Sequence, residues 1–200
     1  MKSIFFKLAL SNLFIMIVLS GMSAMGADYG YNLGNDEKCS VWWAEGIYKI
    51  MQQDPVPDGK INEVQLFAAS NEYESIQVVI TPHTTLHNLT IKPNDLISES
   101  GDVISANQFS VRRVEFVQVI RPTDDYGKPG WYPDPIPLFM EPVELEKSVN
   151  HPFFITIKIP VGIVPGNYTG SIDLKAEDWT KNIPVSVHVW NFQLPEKPTV

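Results

Sequence analysis

The chain has 200 residues, of which 15 are lysine or arginine and 23 aspartate or glutamate, giving a formal net charge of −8. That balance excludes a surface built to hold nucleic acid or an anionic membrane, because both repel an acidic protein; a neutral ligand such as a carbohydrate stays open. A single cysteine, Cys39, excludes an internal disulfide, so stability has to come from packing.

The first 26 residues read as an export signal. Lys2 and Lys7 supply a positive start, Leu8 to Leu19 an apolar stretch, and Ala24-Met25-Gly26 a small-x-small cleavage pattern. The stretch is too short for a membrane span, so cleavage leaves an exported protein with no span, in the periplasm, at the cell surface or outside the cell. Cys39 lies too far along the chain to be a lipid-attachment site. Residues 27–194 fit one domain with its own core, and 195–200 a proline-containing exit linker.

Sixteen prolines and twelve glycines punctuate the chain, and the segments between them alternate with period two, the signature of strands. Val64, Leu66 and Ala68 alternate first, then Ser75 to Ile80. Between them Glu72 and Glu74 flank Tyr73, which places both acids on one side of a strand start, roughly 7 Å apart, a spacing that overlaps glycosidase carboxylate pairs. Acids at a strand start are more often turn or edge residues, and that reading is preferred. His83 and His87 have a metal-like spacing, but Pro82 and the neighbouring threonines favour an extended loop, and no metal site is expected.

Arg112 to Ile120 is apolar on both parities and predicts a central strand covered on both faces. Pro122 to Pro142 predicts a long, irregular, proline-stiffened loop. Asp124 and Asp125 fit a solvated turn rather than a calcium loop. Trp131, Tyr132 and Asp134 are the principal site candidates here. Two aromatics held among prolines suit an interface with a neighbouring domain, which is the favoured reading; alternatively they stack on a sugar whose hydroxyls Asp134 accepts.

The clearest strand is Phe153 to Ile159, with Phe153, Ile155, Ile157 and Ile159 on one face. Val164-Pro165-Gly166-Asn167 is a turn, since Pro165 presets its backbone angle and Gly166 tolerates positive φ. Beyond it, Tyr168, Ile172, Leu174 and Ala176 point inward from a second strand. Ile183, Val185, Val187 and Val189 form a third, joined to the second by Glu177 to Asn182 as a hairpin. Pro184 lacks a donor and marks an edge or one-sided pairing. Trp190 and Phe192 continue the strand and are expected in the core or at an interface. The whole predicts an all-β antiparallel sandwich of immunoglobulin or jelly-roll type with long loops.

Gly-x-Ser-x-Gly, phosphate-loop and His-Glu-x-x-His patterns are absent, and no cofactor is implied. Four segments in order carry a resemblance: Ala68 to Gln77, Trp131 to Pro135, Val164 to Gly170, and Val189 to Pro195. Together they resemble the N-terminal β-sandwich of glycoside hydrolase family 123. In that family a barrel follows and carries an acidic pair that hydrolyses N-acetylgalactosaminides with help from the substrate's acetamido group. The resemblance implies that the catalytic residues lie on such a barrel and have no counterpart among these residues. The expectation is an exported, non-catalytic domain whose partner is a catalytic barrel or a carbohydrate; the alternative is a sandwich acting alone as a carbohydrate-binding or surface-interaction module.

Overall fold

The structure is a computed structural model that describes residues 29–197; the expected export signal in residues 1–26 lies outside the described residues. In chain order the strands are β1 (Tyr31–Asn35), β2 (Cys39–Glu45), β3 (Val64–Ser70), β4 (Tyr73–Pro82), β5 (Leu86–Pro93), β6 (Leu96–Ser98) and β7 (Val103–Ile104). They continue as β8 (Phe109–Arg113), β9 (Phe116–Val119), β10 (Gly130–Pro133), β11 (Val143–Leu145), β12 (His151–Lys158), β13 (Gly166–Ala176) and β14 (Trp179–Gln193).

Two sheets face each other across one core. The first runs β1-β2-β4-β12-β8, antiparallel throughout; the second runs β11-β5-β13-β14-β3, with β6 and β7 attached beside β13. One pair breaks the antiparallel rule: β3 joins β14 in parallel, in register from Val64 and Val185 onward. Phe153, Ile155 and Ile157 from β12 meet Tyr168, Ile172 and Leu174 from β13 and Val185, Val187 and Val189 from β14 in the same buried cluster. Each such side chain contributes about 1.5–3 kcal/mol through the apolar surface it removes from water.

The strands and their inward faces match the alternation. The β13–β14 connection is shorter than expected: Ala176 pairs with Trp179, so Glu177 and Asp178 alone make the turn and β14 starts before Ile183. Pro184 pairs with Ser171 on one side, while the parallel partner on the other side begins only at Val185, so its missing N–H breaks no bond. Gly166 has φ +147°, a conformation that favours glycine, but the expected turn over Val164 to Asn167 is corrected: Gly166 and Asn167 already pair with Val189 and His188 as the start of β13, so the chain reverses before them.

Two expectations are corrected. Arg112 to Ile120 is no central strand: β8 is an edge of the first sheet, the chain leaves it at Val114, and β9 pairs with β10 outside both sheets, with Ile120 exposed. Apolar residues on both parities here serve a bend rather than double burial. Pro122 to Pro142 is correspondingly not all loop, since Trp131 and Tyr132 lie in β10 opposite Gln118 and Val117.

The doubly covered strands are β2 and β4. Their second face, with Trp42, Ala44 and Val79, packs under Ile50, and Tyr29 and Val56 join that cluster. Polar side chains fasten this cover. The Asn150 amide donates to the carbonyls of Met51 (3.0 Å) and Asp54 (2.9 Å) and accepts from the Thr81 hydroxyl (2.6 Å), and Gln77 donates to the Tyr48 carbonyl (2.7 Å). Among the described residues no helix is long and apolar enough to cross a membrane.

Candidate functional site

The pleat places Trp43 and Glu45 on the inner face of β2, and Glu74, Ile76, Val78 and Ile80 on the inner face of β4. Both series are apolar until they reach the same end of the sheet, where each terminates in a glutamate; Glu45 pairs across the ladder with Ile76, next to Glu74. A cavity of about 530 Å³ opens there against β3, walled by Trp43, Glu45, Phe67, Tyr73, Glu74 and Phe154. The Glu74 carboxyl is pushed above its ordinary range, chiefly by burial and then by the charges of Glu72 and Glu45. Trp43 is 5% exposed, and its indole Nε1 is buried without a hydrogen-bond partner. No lysine, arginine or histidine lines this mouth.

Glu72 has a different task. Its carboxylate accepts the Ala69 N–H at 2.6 Å and so closes the turn between β3 and β4, where Asn71 sits at φ +66°. The two sequence candidates are thus near neighbours with separate roles, one in a turn and one at the mouth.

On the β9–β10 hairpin, Trp131 is 47% exposed at the lip of a cavity of about 280 Å³ that also meets Arg113, Glu144, Glu146 and His151. Asp134 lines a different hollow, of about 220 Å³, with Tyr48, Lys49 and Ile136. The Tyr132 hydroxyl donates to the Lys128 carbonyl at 2.8 Å and so serves its own loop. The three candidates share a hairpin but do not converge on one cavity.

Trp190 and Phe192 lie outside the core. On the outer face of the second sheet Trp190 stacks near Phe67, with ring centroids 6.2 Å apart, and meets His188 edge-on at 4.3 Å; Phe67 and Phe192 are each 59% exposed. The chain leaves the sandwich beside this ridge and is fastened as it goes. Leu194 donates its N–H to the Ser70 carbonyl (2.9 Å) and accepts from the Asn71 amide (3.1 Å). The Ser70 hydroxyl bridges the Pro160 carbonyl and the Gly162 N–H, each at 2.9 Å. The exit direction is therefore fixed by the fold.

The histidines are separately engaged: His83 bonds the Ser40 hydroxyl at 3.0 Å, and His87 the Glu144 carboxylate at 2.7 Å. Asp124 accepts the N–H groups of Tyr126 and Gly127, each at 2.9 Å, as a turn residue. Among the described residues no group of three or more His, Cys, Asp or Glu side chains could hold a metal ion. Sequence reasoning names Glu74 and expects Trp190 and Phe192 in the core or at an interface, but it misses Phe67 in the ridge and Trp43 and Glu45 in the mouth. The one signal for the mouth is the appearance of Glu45 and Glu74 on parities that are otherwise apolar.

Residues 44–176 match the family model described as glycoside hydrolase 123 N-terminal domain. The fold matches a family 123 glycoside hydrolase from Clostridium perfringens, studied for glycolipid glycan hydrolysis, at TM-score 0.69 and 23% identity, over 78% of this chain and 28% of that one. A second structure, the CooA pilin subunit from enterotoxigenic Escherichia coli, aligns at 15% identity over 69% of this chain and 95% of that one, with TM-score 0.34. No curated protein sequence matches the chain. The chain spans little more than a quarter of the glycoside hydrolase it matches.

Proposed function

The chain belongs to the glycoside hydrolase 123 N-terminal domain family, and we propose that it is an exported, non-catalytic sandwich that supports the catalytic domain of an N-acetylgalactosaminide-type glycosidase. The observation that carries this reading is the pairing of a fastened exit with an exposed aromatic ridge: the chain leaves at Leu194 beside Trp190, Phe192 and Phe67. Aromatic rings on a rigid sheet make low-entropy anchors for a neighbouring domain, and the hydrogen bonds at Ser70 and Asn71 set the direction in which such a domain is reached.

The test is a fusion of the chain ahead of a family 123 catalytic domain, followed by calorimetry. Docking predicts one cooperative unfolding transition that separates into two when Trp190 and Phe192 are replaced by alanine. Two independent transitions in the unsubstituted fusion contradict it.

A carbohydrate-binding or surface-interaction module acting alone is the second reading, favoured by the exposed Trp131 at the lip of its cavity. Glycan titrations that respond to Trp131→Ala would select it over domain support.

A further inference from the structure

On the outer face of the second sheet, three strands set their side chains in rows. Thr169, Ser186 and Gln65 lie opposite one another across β13, β14 and β3, and Asn167, His188 and Phe67 form the next row toward Trp190. Both rows line a groove of about 340 Å³ that shares Phe67 and His188 with the aromatic ridge. Its polar side chains are already fastened: the Asn167 amide oxygen accepts the His188 Nδ1–H at 2.6 Å, and the Gln65 amide donates to Glu63 at 2.8 Å. Among the described residues, Glu63 is the only carboxylate, lysine or arginine that lines the groove, and it precedes β3 at the end away from Trp190. Charge returns further along the same face, where Asp173 pairs across the ladder with Asn182 on one side and Lys92 on the other.

We propose that the domain reached through the exit folds back along this face, with a footprint that runs from Trp190 across both rows and ends before Asp173. The alternative is a domain that stands end-on to the sandwich and touches the ridge alone. The inference rests on the domain-support reading and adds to it the place where the second domain lies. The exit fixes the starting point: Leu194 is tied to Ser70 and Asn71, directly after the strand that carries Phe67, so a following domain begins at the Trp190 end of the face. The chemistry fixes the direction. An aromatic centre bordered by uncharged hydrogen-bonding groups is the composition of a buried interface, whose centre excludes charge. Side chains already held by one another lose little freedom when a partner covers them. An end-on domain would leave Thr169, Ser186 and His188 in water, where charged residues serve solubility better. The surface that fits the groove is therefore uncharged, with an apolar centre for the ridge and donors and acceptors for the two rows.

The experiment uses the fusion to a family 123 catalytic domain and reads it in two ways. Diethyl pyrocarbonate labelling, followed by mass spectrometry, is expected to show that His188 loses its labelling in the fusion relative to the isolated chain, while His87, on β5, keeps it. In calorimetry, Ser186→Arg, which sets a bulky cation in the groove without altering the ridge, is expected to separate the single unfolding transition into two. Asn182→Arg, at the charged end of the same face, leaves it single. Labelling needs no substitution, so it reports even if Ser186→Arg fails to fold. A single transition that survives Ser186→Arg, with His188 labelled as fast as in the isolated chain, overturns the footprint and leaves domain support standing. Two transitions in the unsubstituted fusion overturn domain support and the footprint with it. Loss of His188 labelling in the isolated chain as its concentration rises would assign the face to a second copy and also overturn the proposal.

Discussion

The ring of Trp190 lies 6.2 Å from that of Phe67 and 23° from parallel, on the outer face of a sheet whose inner face forms the core. The two strands that carry them run parallel, with Ala69 opposite Trp190, so the pair is held diagonally by backbone pairing rather than by flexible side chains. Trp190→Ala is expected to lower the stability of the isolated chain by only about 0.5–1.5 kcal/mol, the range for an aromatic pair. The same change is expected to weaken docking to a catalytic domain by about 2 kcal/mol or more, as for interface anchors. Denaturant titration gives the first quantity and calorimetry of the fusion the second. Equal small effects on both would remove the ridge from the interface.

Asn150 is 1% exposed and makes three hydrogen bonds that hold the cover over β2 and β4. Asn150→Ala removes the side-chain donor to the Met51 and Asp54 carbonyls and the acceptor of the Thr81 hydroxyl, although Met51 keeps the Asp54 N–H and Thr81 the Trp42 indole, and the expected loss is about 2–3 kcal/mol. Urea unfolding monitored by tryptophan fluorescence measures it. A loss under about 1 kcal/mol would show that the cover is held mainly by Ile50 and Val56.

The same network explains what is legible in the sequence. Phe153 to Ile159, Tyr168 to Ala176 and Ile183 to Val189 each show one apolar parity, so their faces can be assigned by alternation. In β4 the buried run Ile76 to Ile80 includes Gln77, whose amide bonds the cover's backbone. A polar residue there reads as solvent-facing, because periodicity records side-chain type and not the loop that will lie across it. Arg112 to Ile120 misleads for the mirror reason: apolar residues on both parities mean a bend into a separate hairpin. Trp190 and Phe192 leave core and interface both open for a third, since a strand's pattern fixes the face a ring occupies but not whether that face is covered.

Gly170 marks a close approach. A Cβ there would lie 2.4 Å from the Asp95 carbonyl oxygen and 2.7 Å from Leu96 Cδ2. Because the nearer atom is backbone, Gly170→Ala must push β6 off β13, at an expected cost of about 1–3 kcal/mol. Thermal unfolding checks it, with Gly101→Ala, which has nothing within 4 Å but φ +89°, separating steric from conformational cost. An unchanged melting temperature for Gly170→Ala would contradict the packing of these strands.

Burial first, then Glu72 and Glu45, hold the Glu74 carboxyl above its ordinary 4.5. The folded state thus binds this proton more tightly than the unfolded chain does. The ionised carboxylate costs stability at pH values above the raised value, and the cost fades as pH falls through it toward the unfolded value. Glu74→Gln is therefore expected to raise the melting temperature at neutral pH, with the gain closing toward about pH 4. A gain that is constant with pH, or a loss at neutral pH, would contradict the electrostatic origin.

A domain that supports catalysis without performing it leaves glycosides intact. Incubating the folded chain with an aryl N-acetylgalactosaminide and following release of the aryl group measures this, and no release above the buffer rate is expected. Turnover that Glu72→Gln or Glu74→Gln abolishes would refute the supporting role and would make the mouth of the sandwich an active site.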